Sequence, residues 1–173
     1  MTDVRRLLLD RFRWRDGHAD FSPLLRDPGF LEDAGDALAA PFRDKGITAV
    51  VGLEARGFVL SALTAQALGV GLVLARKPGS VHPGAEIERA TEPDWRGNRI
   101  EVRIAADAVG VRDRALIVDD WIETGSQART ARRLLARLGA PLVGVSVLVD
   151  DTTDLVREEL GVVGIVKGED LPQ

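Results

Sequence analysis

Residues 115–127 read ALIVDDWIETGSQ, a pattern typical of one strand–turn–helix unit of an α/β protein. The four uninterrupted apolar residues 115–118 indicate a strand buried on both faces, as in a parallel sheet. Two adjacent carboxylates, Asp119 and Asp120, follow where we expect this strand to end. After a short turn, apolar residues recur at helical spacing as far as Leu138, and Gly139 closes the segment. The stretch therefore predicts a strand, an acidic pair, a turn and the start of a helix.

This unit has the chemistry to bind a phosphorylated sugar. Backbone N–H groups at a helix start attract phosphate. Gly125 lets the backbone approach it closely, and Thr124 and Ser126 add hydroxyl donors. The two carboxylates can accept hydrogen bonds from sugar hydroxyls. The simpler interpretations are a solvated strand end for the acidic pair and a helix N-cap for Thr124 or Ser126, although a cap is compatible with the same geometry.

The alternation of strands and helices continues along the chain. Apolar patterns predict strands at 48–53, 71–75, 99–104, 114–119, 142–149 and 162–166, and helices at 3–13, 30–44, 57–68, 126–138 and 152–160. Such alternation is typical of parallel βαβ units, so we expect an α/β fold whose parallel sheet has helices on both faces. We expect one domain over residues 1–173. Residues 14–28 are expected to be irregular, and 76–98 to form a long flexible loop that covers the site.

Three predicted strand ends carry polar, turn-forming sequence. They are residues 54–57 (EARG), residues 76–79 (RKPG) and the acidic pair. Ligands of parallel sheets bind outside the carboxyl ends of the strands, so these three ends predict a composite site. Taken singly, Arg56 would be a solvated residue at a helix start, and Arg76 and Lys77 a charged loop.

Composition and charge argue against several classes of protein. The net charge is −4 and no dense basic stripe is present, which argues against nucleic-acid binding. The chain has no cysteine, which excludes disulfides and thiolate metal sites. No apolar run approaches the ~20 residues of a membrane span, and the charged N-terminus does not look like a secretory signal. We therefore expect a cytoplasmic protein.

The motifs resemble those of the type I phosphoribosyltransferases, and in particular the adenine phosphoribosyltransferase branch. The acidic pair and the turn after it are similar to the phosphoribosyl-diphosphate (PRPP) signature that this superfamily shares. Further segments similar to the adenine branch in order and spacing are 51–58 (VGLEARGF), 67–70 (ALGV), 76–79 (RKPG) and 20–28 (DFSPLLRDP). The resemblance spans residues 17–150 and implies the type I phosphoribosyltransferase fold, with a small N-terminal hood over residues 1–30.

The resemblance also implies a role for each matching residue. Asp119 and Asp120 would hold the ribose hydroxyls of PRPP. The 5′-phosphate would be cradled by the turn formed by Glu123, Thr124, Gly125, Ser126 and Gln127. The pyrophosphate would be received by Glu54, Ala55, Arg56, Arg76 and Lys77. Mg²⁺ would bridge the pyrophosphate, bound mainly through substrate oxygens and indirectly by the acidic pair. Arg56 and Lys77 would act catalytically by stabilising charge on the leaving group.

The turn departs from the family pattern Ala-Thr-Gly-Gly-Thr at both of its ends. Gln127 replaces a hydroxyl donor, and Glu123 adds negative charge beside the phosphate. Hypoxanthine-guanine relatives carry an Asp at that place, proposed there to assist proton transfer at the purine N7. Glu123 is therefore either a general base or a surface carboxylate.

The base site departs further from the adenine branch. Residues 17–20 (GHAD) are shorter than the matching hood segment and lack its arginine. Trp121 stands where the family has an aliphatic residue under the base, so it either stacks on a purine or packs in the core. His18 and Ala19 are further candidates for base contact, and the alternative for His18 is an exposed hood residue.

The resemblance implies a purine phosphoribosyltransferase that uses PRPP and Mg²⁺, forms a homodimer and takes adenine as the most plausible base. Two alternatives are a PRPP or nucleotide sensor of the same fold with lost or altered catalysis, and a phosphoribosyltransferase for another base.

Overall fold

The computed structural model describes residues 3–79, 84–89, 97 and 99–172. Its helices are α1 (Val4–Arg11), α2 (Ser22–Leu25), α3 (Pro28–Ala39), α4 (Gly57–Leu68), α5 (Ser126–Arg137) and α6 (Asp154–Leu160), with 3-10 helices at Ala40–Lys45 and Gly168–Asp170. Its strands are β1 (Arg13–Arg15), β2 (His18–Asp20), β3 (Ala49–Leu53), β4 (Gly71–Ala75), β5 (Ala85–Arg89), β6 (Glu101–Ala105), β7 (Ala115–Ile122), β8 (Leu142–Asp150) and β9 (Val162–Lys167). Within these ranges, none of the helices is long and apolar enough to cross a membrane.

A five-stranded parallel sheet in the order β4–β3–β7–β8–β9 forms the centre of the molecule. Side chains along a strand alternate between the two faces of a sheet. On one face, β-strand residues such as Val51 and Ile117 pack against α5 and α6. On the other face, Val50 and Leu116 pack against α1, α3 and α4. The predicted α/β fold with helices on both faces is confirmed.

Strand β7 is longer than the sequence predicts, because it continues through the acidic pair as far as Ile122. Its partner β8 also runs on, so that Trp121 lies opposite Val149 and Ile122 opposite Asp150. The prediction that the carboxylates follow the strand is wrong. They are part of it, because ladder hydrogen bonds to β8 keep the backbone extended where the side-chain pattern turns polar.

The N-terminal segment is more regular than expected. Residues 14–28, predicted to be irregular, contain α2 and most of an antiparallel hairpin of β1 and β2. Asp16 and Gly17 form its two-residue turn, with φ of 50° and 74°. Positive φ at both turn residues is the requirement of a type I′ hairpin, and Asp-Gly is a common sequence for it.

Part of the predicted cover loop is also a strand. Within 76–98, β5 pairs antiparallel with β6, outside the central sheet. Strand β6 buries alternate residues, Val102 and Ile104, as a strand covered on one face does. The other predicted loop residues 80–83, 90–96 and 98 lie outside the described residues.

Candidate active site

A cleft of about 600 Å³ opens at the carboxyl ends of β3 and β7. It brings together all predicted site residues except Arg76: His18, Ala19, Glu54, Ala55, Arg56, Lys77, Asp119, Asp120, Trp121, Glu123, Thr124, Gly125, Ser126 and Gln127. Arg76 does not line the cleft. Its backbone forms a two-way bridge with Arg103 of β6, with both N–H···O distances 2.9 Å. That bridge fixes the chain beside Lys77, which does line the cleft.

Both carboxylates of the acidic pair line the cleft. The Asp119 Oδ1 atom accepts the Asp120 backbone N–H at 2.9 Å. Burial of the Asp119 carboxyl and the neighbouring charge of Asp120 raise the pKa of Asp119 well above its usual value. A Cβ atom at Gly57 would lie 2.8 Å from the Asp119 Oδ1 atom, so this close packing requires a glycine at the start of α4. Asp119 is thus an enclosed carboxyl close to a second one.

Arg56 connects the acidic pair to the N-terminal hairpin. Its Nε atom lies 2.8 Å from the Asp120 Oδ2 atom, and its Nη1 atom donates to the Ala19 carbonyl at 2.9 Å. The guanidinium carbon also lies 5.1 Å from the centroid of the Phe21 ring, within the range of a cation–π contact. The guanidinium therefore compensates the Asp120 charge and stays half exposed to the cleft.

Glu54 positions the second cationic segment. It follows β3, and its Oε2 atom accepts the Lys77 backbone N–H at 2.6 Å. Because β3 and β4 are parallel neighbours with Leu53 opposite Ala75, the chain leaves both strands on the same side of the cleft. The carboxylate of Glu54 therefore holds the backbone of Lys77 at the cleft wall. The Glu54–Ala55 peptide bond is cis.

The turn between β7 and α5 has the geometry of an anion site. Gly125 has φ of 72°, and α5 begins at the next residue, so the start of a helix lines the cleft. The Ser126 backbone N–H donates to the Thr124 Oγ1 atom at 3.3 Å. The Thr124 carbonyl accepts a 2.8 Å hydrogen bond from Arg129 Nη1, and Arg129 Nε donates to Glu159 of α6 at 2.8 Å. Arg129 therefore connects the turn to α6. The sequence did not indicate this role. Glu123 is exposed at the cleft.

Aromatic rings form one end of the cleft. Trp121 lies 5.7 Å from Trp14 between ring centroids, with the planes at 66°. Phe12 contacts both rings, at 5.3 Å from Trp14 and 6.2 Å from Trp121. Sequence reasoning missed Trp14, although the Asp-Gly hairpin signal would have placed it opposite Ala19. Trp14 is 47% exposed and lines the cleft, so an aromatic surface is open to a ligand.

Strand β8 ends at Asp150, and Asp151 follows it. Burial raises the pKa of the Asp150 carboxyl, but hydrogen bonds from Arg157 and Thr152 outweigh it and lower the pKa overall. Asp151 lines the cleft, and burial and the charge of Asp150 raise its pKa. The sequence reasoning assigned neither residue to the site.

Comparisons with known proteins agree with this geometry. A family model for the phosphoribosyl transferase domain matches residues 22–170. The adenine phosphoribosyltransferase of Anaeromyxobacter sp. (strain Fw109-5) is 42% identical over 131 residues, which cover 76% of this chain and 72% of the relative. The crystal structure of adenine phosphoribosyltransferase from Rhodothermus marinus DSM 4252 matches with a TM-score of 0.82 at 30% identity, covering 95% of this chain and 98% of that one. The Saccharomyces cerevisiae enzyme, complexed with D-2,5-dideoxy-2,5-imino-altritol 1,6-bisphosphate and adenine, matches with a TM-score of 0.79 at 27% identity, covering 95% and 99%. The chain belongs to the phosphoribosyltransferase family.

Proposed function

We propose that this protein transfers the phosphoribosyl group of PRPP to adenine, giving adenosine monophosphate and pyrophosphate, as in purine salvage. The observation that carries the proposal is the single cleft that joins an acidic pair, a helix-start turn, two cationic residues and an aromatic end. The relatives named above are adenine phosphoribosyltransferases, and the yeast enzyme was crystallised with adenine and a sugar-like bisphosphate.

The sugar end of PRPP fits the β7 carboxylates and the turn. Asp119 and Asp120 offer acceptors to two ribose hydroxyls. The 5′-phosphate would lie on the turn 123–127, where backbone N–H groups and the hydroxyls of Thr124 and Ser126 donate to it. Gln127 offers an amide donor in place of a hydroxyl.

The cationic residues would stabilise the leaving pyrophosphate. In the transfer, the bond from ribose C1 to the pyrophosphate oxygen breaks, the bond from C1 to the purine N9 forms, and the N9 proton leaves the base. Negative charge builds on the pyrophosphate oxygens, which the Arg56 guanidinium and the Lys77 ammonium can bind. We propose that Arg56 then exchanges its contact with Asp120 for one with pyrophosphate. Glu123, an exposed carboxylate at the cleft, is the candidate acceptor of the base proton.

The donor set of the cleft fits a magnesium ion held mostly by substrate. Mg²⁺ prefers oxygen ligands, keeps several waters and binds through one or two carboxylates together with phosphate oxygens. We propose that Asp119 and Asp120 hold it indirectly, through the PRPP hydroxyls. Among the residues that the structure describes, no group of three or more His, Cys, Asp or Glu side chains is arranged to hold a metal ion by itself. When bound, the ion neutralises charge on the pyrophosphate.

The base would lie at the aromatic end of the cleft. Trp121 offers a ring face for stacking, and the exposed Trp14 closes the same end from the hairpin. His18 and Ala19 belong to the same hairpin and line the cleft near these rings.

A screen of free bases tests the proposal. The purified protein is incubated with PRPP, Mg²⁺ and adenine, guanine, hypoxanthine or xanthine in turn, and nucleotide and pyrophosphate are quantified by chromatography and a coupled assay. We expect adenosine monophosphate and pyrophosphate in equal amounts, with adenine preferred. Absence of product with every base would refute the proposal, and PRPP binding in calorimetry without turnover would instead identify a sensor. The homodimer implied by the resemblance and the cytoplasmic location expected from the sequence stay predictions. Light scattering can measure the oligomeric state.

A further inference from the structure

Asp151 is a cleft residue that the roles above do not use. Its backbone N–H donates to the Ile122 carbonyl at 2.9 Å, directly after the end of the β7–β8 ladder. Ile122 adjoins Trp121, so this bond anchors Asp151 one residue away from the ring proposed to stack on the base. The side chain of Asp151 lines the same cleft as Trp121 and Trp14.

The neighbouring carboxylate is fully engaged, whereas that of Asp151 is not. The Asp150 Oδ2 atom accepts Arg157 Nε at 2.6 Å, and its Oδ1 atom accepts the Thr152 backbone N–H at 2.9 Å. In the part of the chain that the structure describes, the Asp151 carboxylate has neither a hydrogen bond nor an ion pair. Its acceptor atoms are thus available to a ligand in the cleft.

The position of the Asp151 side chain is confined on its other side. Gly168, at the start of the last 3-10 helix, packs so closely that any side chain there would overlap the Asp151 carboxylate. Asp151 is exposed and lines the cleft, so its carboxylate is open to solvent and to a ligand on the sides that Gly168 does not cover.

A purine offers this carboxylate a hydrogen-bond donor that a phosphate cannot. An ionised carboxylate only accepts hydrogen bonds, and beside the 5′-phosphate it would face like charge. Stacking on tryptophan holds the plane of every purine almost equally, so the choice between bases requires a polar contact at the base edge. Adenine carries an amino donor at C6, whereas hypoxanthine and guanine carry a carbonyl acceptor there.

We propose that Asp151 accepts a hydrogen bond from the exocyclic amino group of adenine and thereby selects a 6-aminopurine over a 6-oxopurine. This inference rests on the proposed function and names the residue that sets its base specificity. A 6-oxopurine in the same place would bring its carbonyl oxygen against the carboxylate, and neither group can donate.

The test compares kcat/KM for adenine and hypoxanthine at saturating PRPP in the wild type, Asp151→Ala and Asp151→Asn. We expect Asp151→Ala to lose roughly 10–100-fold in kcat/KM for adenine and little for hypoxanthine, the usual effect of removing a hydrogen bond to a charged group. Asp151→Asn keeps the shape and adds an amide donor for the 6-oxo group. We expect it to lower the adenine-to-hypoxanthine ratio by at least roughly tenfold, with the KM for PRPP unchanged.

Asp154→Asn is the matched control, because it removes a carboxylate three residues away whose side chain is 91% exposed and paired with Arg157. Its ratio should equal that of the wild type. An unchanged ratio in both Asp151 variants would overturn the inference, as would a change confined to the KM for PRPP. A wild type that turns over only 6-oxopurines overturns the choice of adenine as well. If no base is turned over, the proposed function fails by itself, and calorimetric affinities for the two bases in the presence of PRPP provide the same ratio.

Discussion

Replacement of Gly125 by alanine tests two requirements of the proposed phosphate turn, its left-handed backbone and its close packing against α6. Gly125 has φ of 72°, a left-handed conformation that costs a residue with a side chain about 1–2 kcal/mol. A Cβ atom there would also lie 2.8 Å from Val156 Cγ1 and 3.1 Å from Leu160 Cδ1, two side chains of α6. Gly69, which ends α4, provides the control, because its φ of 68° is nearly the same and a Cβ atom added there would meet no other atom within 4 Å.

The two variants should therefore lose different amounts of stability. Gly69→Ala incurs the backbone cost alone, about 1–2 kcal/mol of unfolding free energy. Gly125→Ala adds the overlap with α6, for which overpacking of a filled interior costs about 1–3 kcal/mol. We expect a total loss of about 2–5 kcal/mol, and a rise in the KM for PRPP because relief of the overlap displaces the turn from α6.

Urea unfolding at pH 7 measures the loss of stability. Steady-state kinetics with PRPP varied at saturating adenine measures the KM for PRPP. Gly69→Ala should leave the KM for PRPP unchanged. Equal losses of stability in the two variants would refute the packing argument. A Gly125→Ala protein with the wild-type KM for PRPP would refute the placement of the phosphate on this turn.

Three further predictions concern single side chains of the cleft. Arg129→Ala should raise the KM for PRPP roughly tenfold, because the Thr124 carbonyl loses its donor, whereas Arg132→Ala, which removes a different partner of Glu159, should not change this KM. Asp119→Asn should be more stable than the wild type at pH 7 and lose roughly 10–100-fold in kcat/KM for PRPP. Since the pKa of Asp119 is raised on folding, ionisation costs stability above the folded-state pKa, and the gain from Asn should vanish as the pH falls through that pKa toward about 4. A gain that is the same at all pH values in urea unfolding would contradict this cause. Trp121→Ala should raise the KM for adenine roughly tenfold and leave the KM for PRPP within about twofold, as steady-state kinetics would show. A change in the KM for PRPP alone would place Trp121 away from the base.

The central sheet was predictable because its strands are continuous apolar runs between helical patterns. The length of β7 was not, because its last residues are polar and are kept extended by β8, which lies 20 or more residues further along the chain. The β1–β2 hairpin contains a local Asp-Gly signal, but its β1 residues are all exposed and lack the apolar alternation that would have indicated strands.

The site was predictable where polar residues come directly after an apolar run, as at Glu54, Arg56 and the acidic pair. Arg129 and Trp14 could not be assigned in this way, because their roles depend on partners distant in sequence. The partner of Arg129 in α6 is Glu159, and that of Trp14 is Trp121. Such contacts depend on how helices and hairpins pack on the sheet. The periodicity of a single segment carries no information about that packing.

The extension of β7 through the acidic pair also divides the cleft into parts of unequal local stability. Asp119 and Asp120 belong to the middle strand of the sheet, which pairs with β3 as far as Val118 and with β8 as far as Ile122. Strands in the middle of a sheet are among the last parts of a protein to open. The hairpin that carries Trp14 has three residue pairs and an exposed β1, and such small units open at low cost. With the substrates placed as proposed, the wall at the base end thus belongs to the less stable part of the cleft, and the sugar-binding carboxylates to the more stable part.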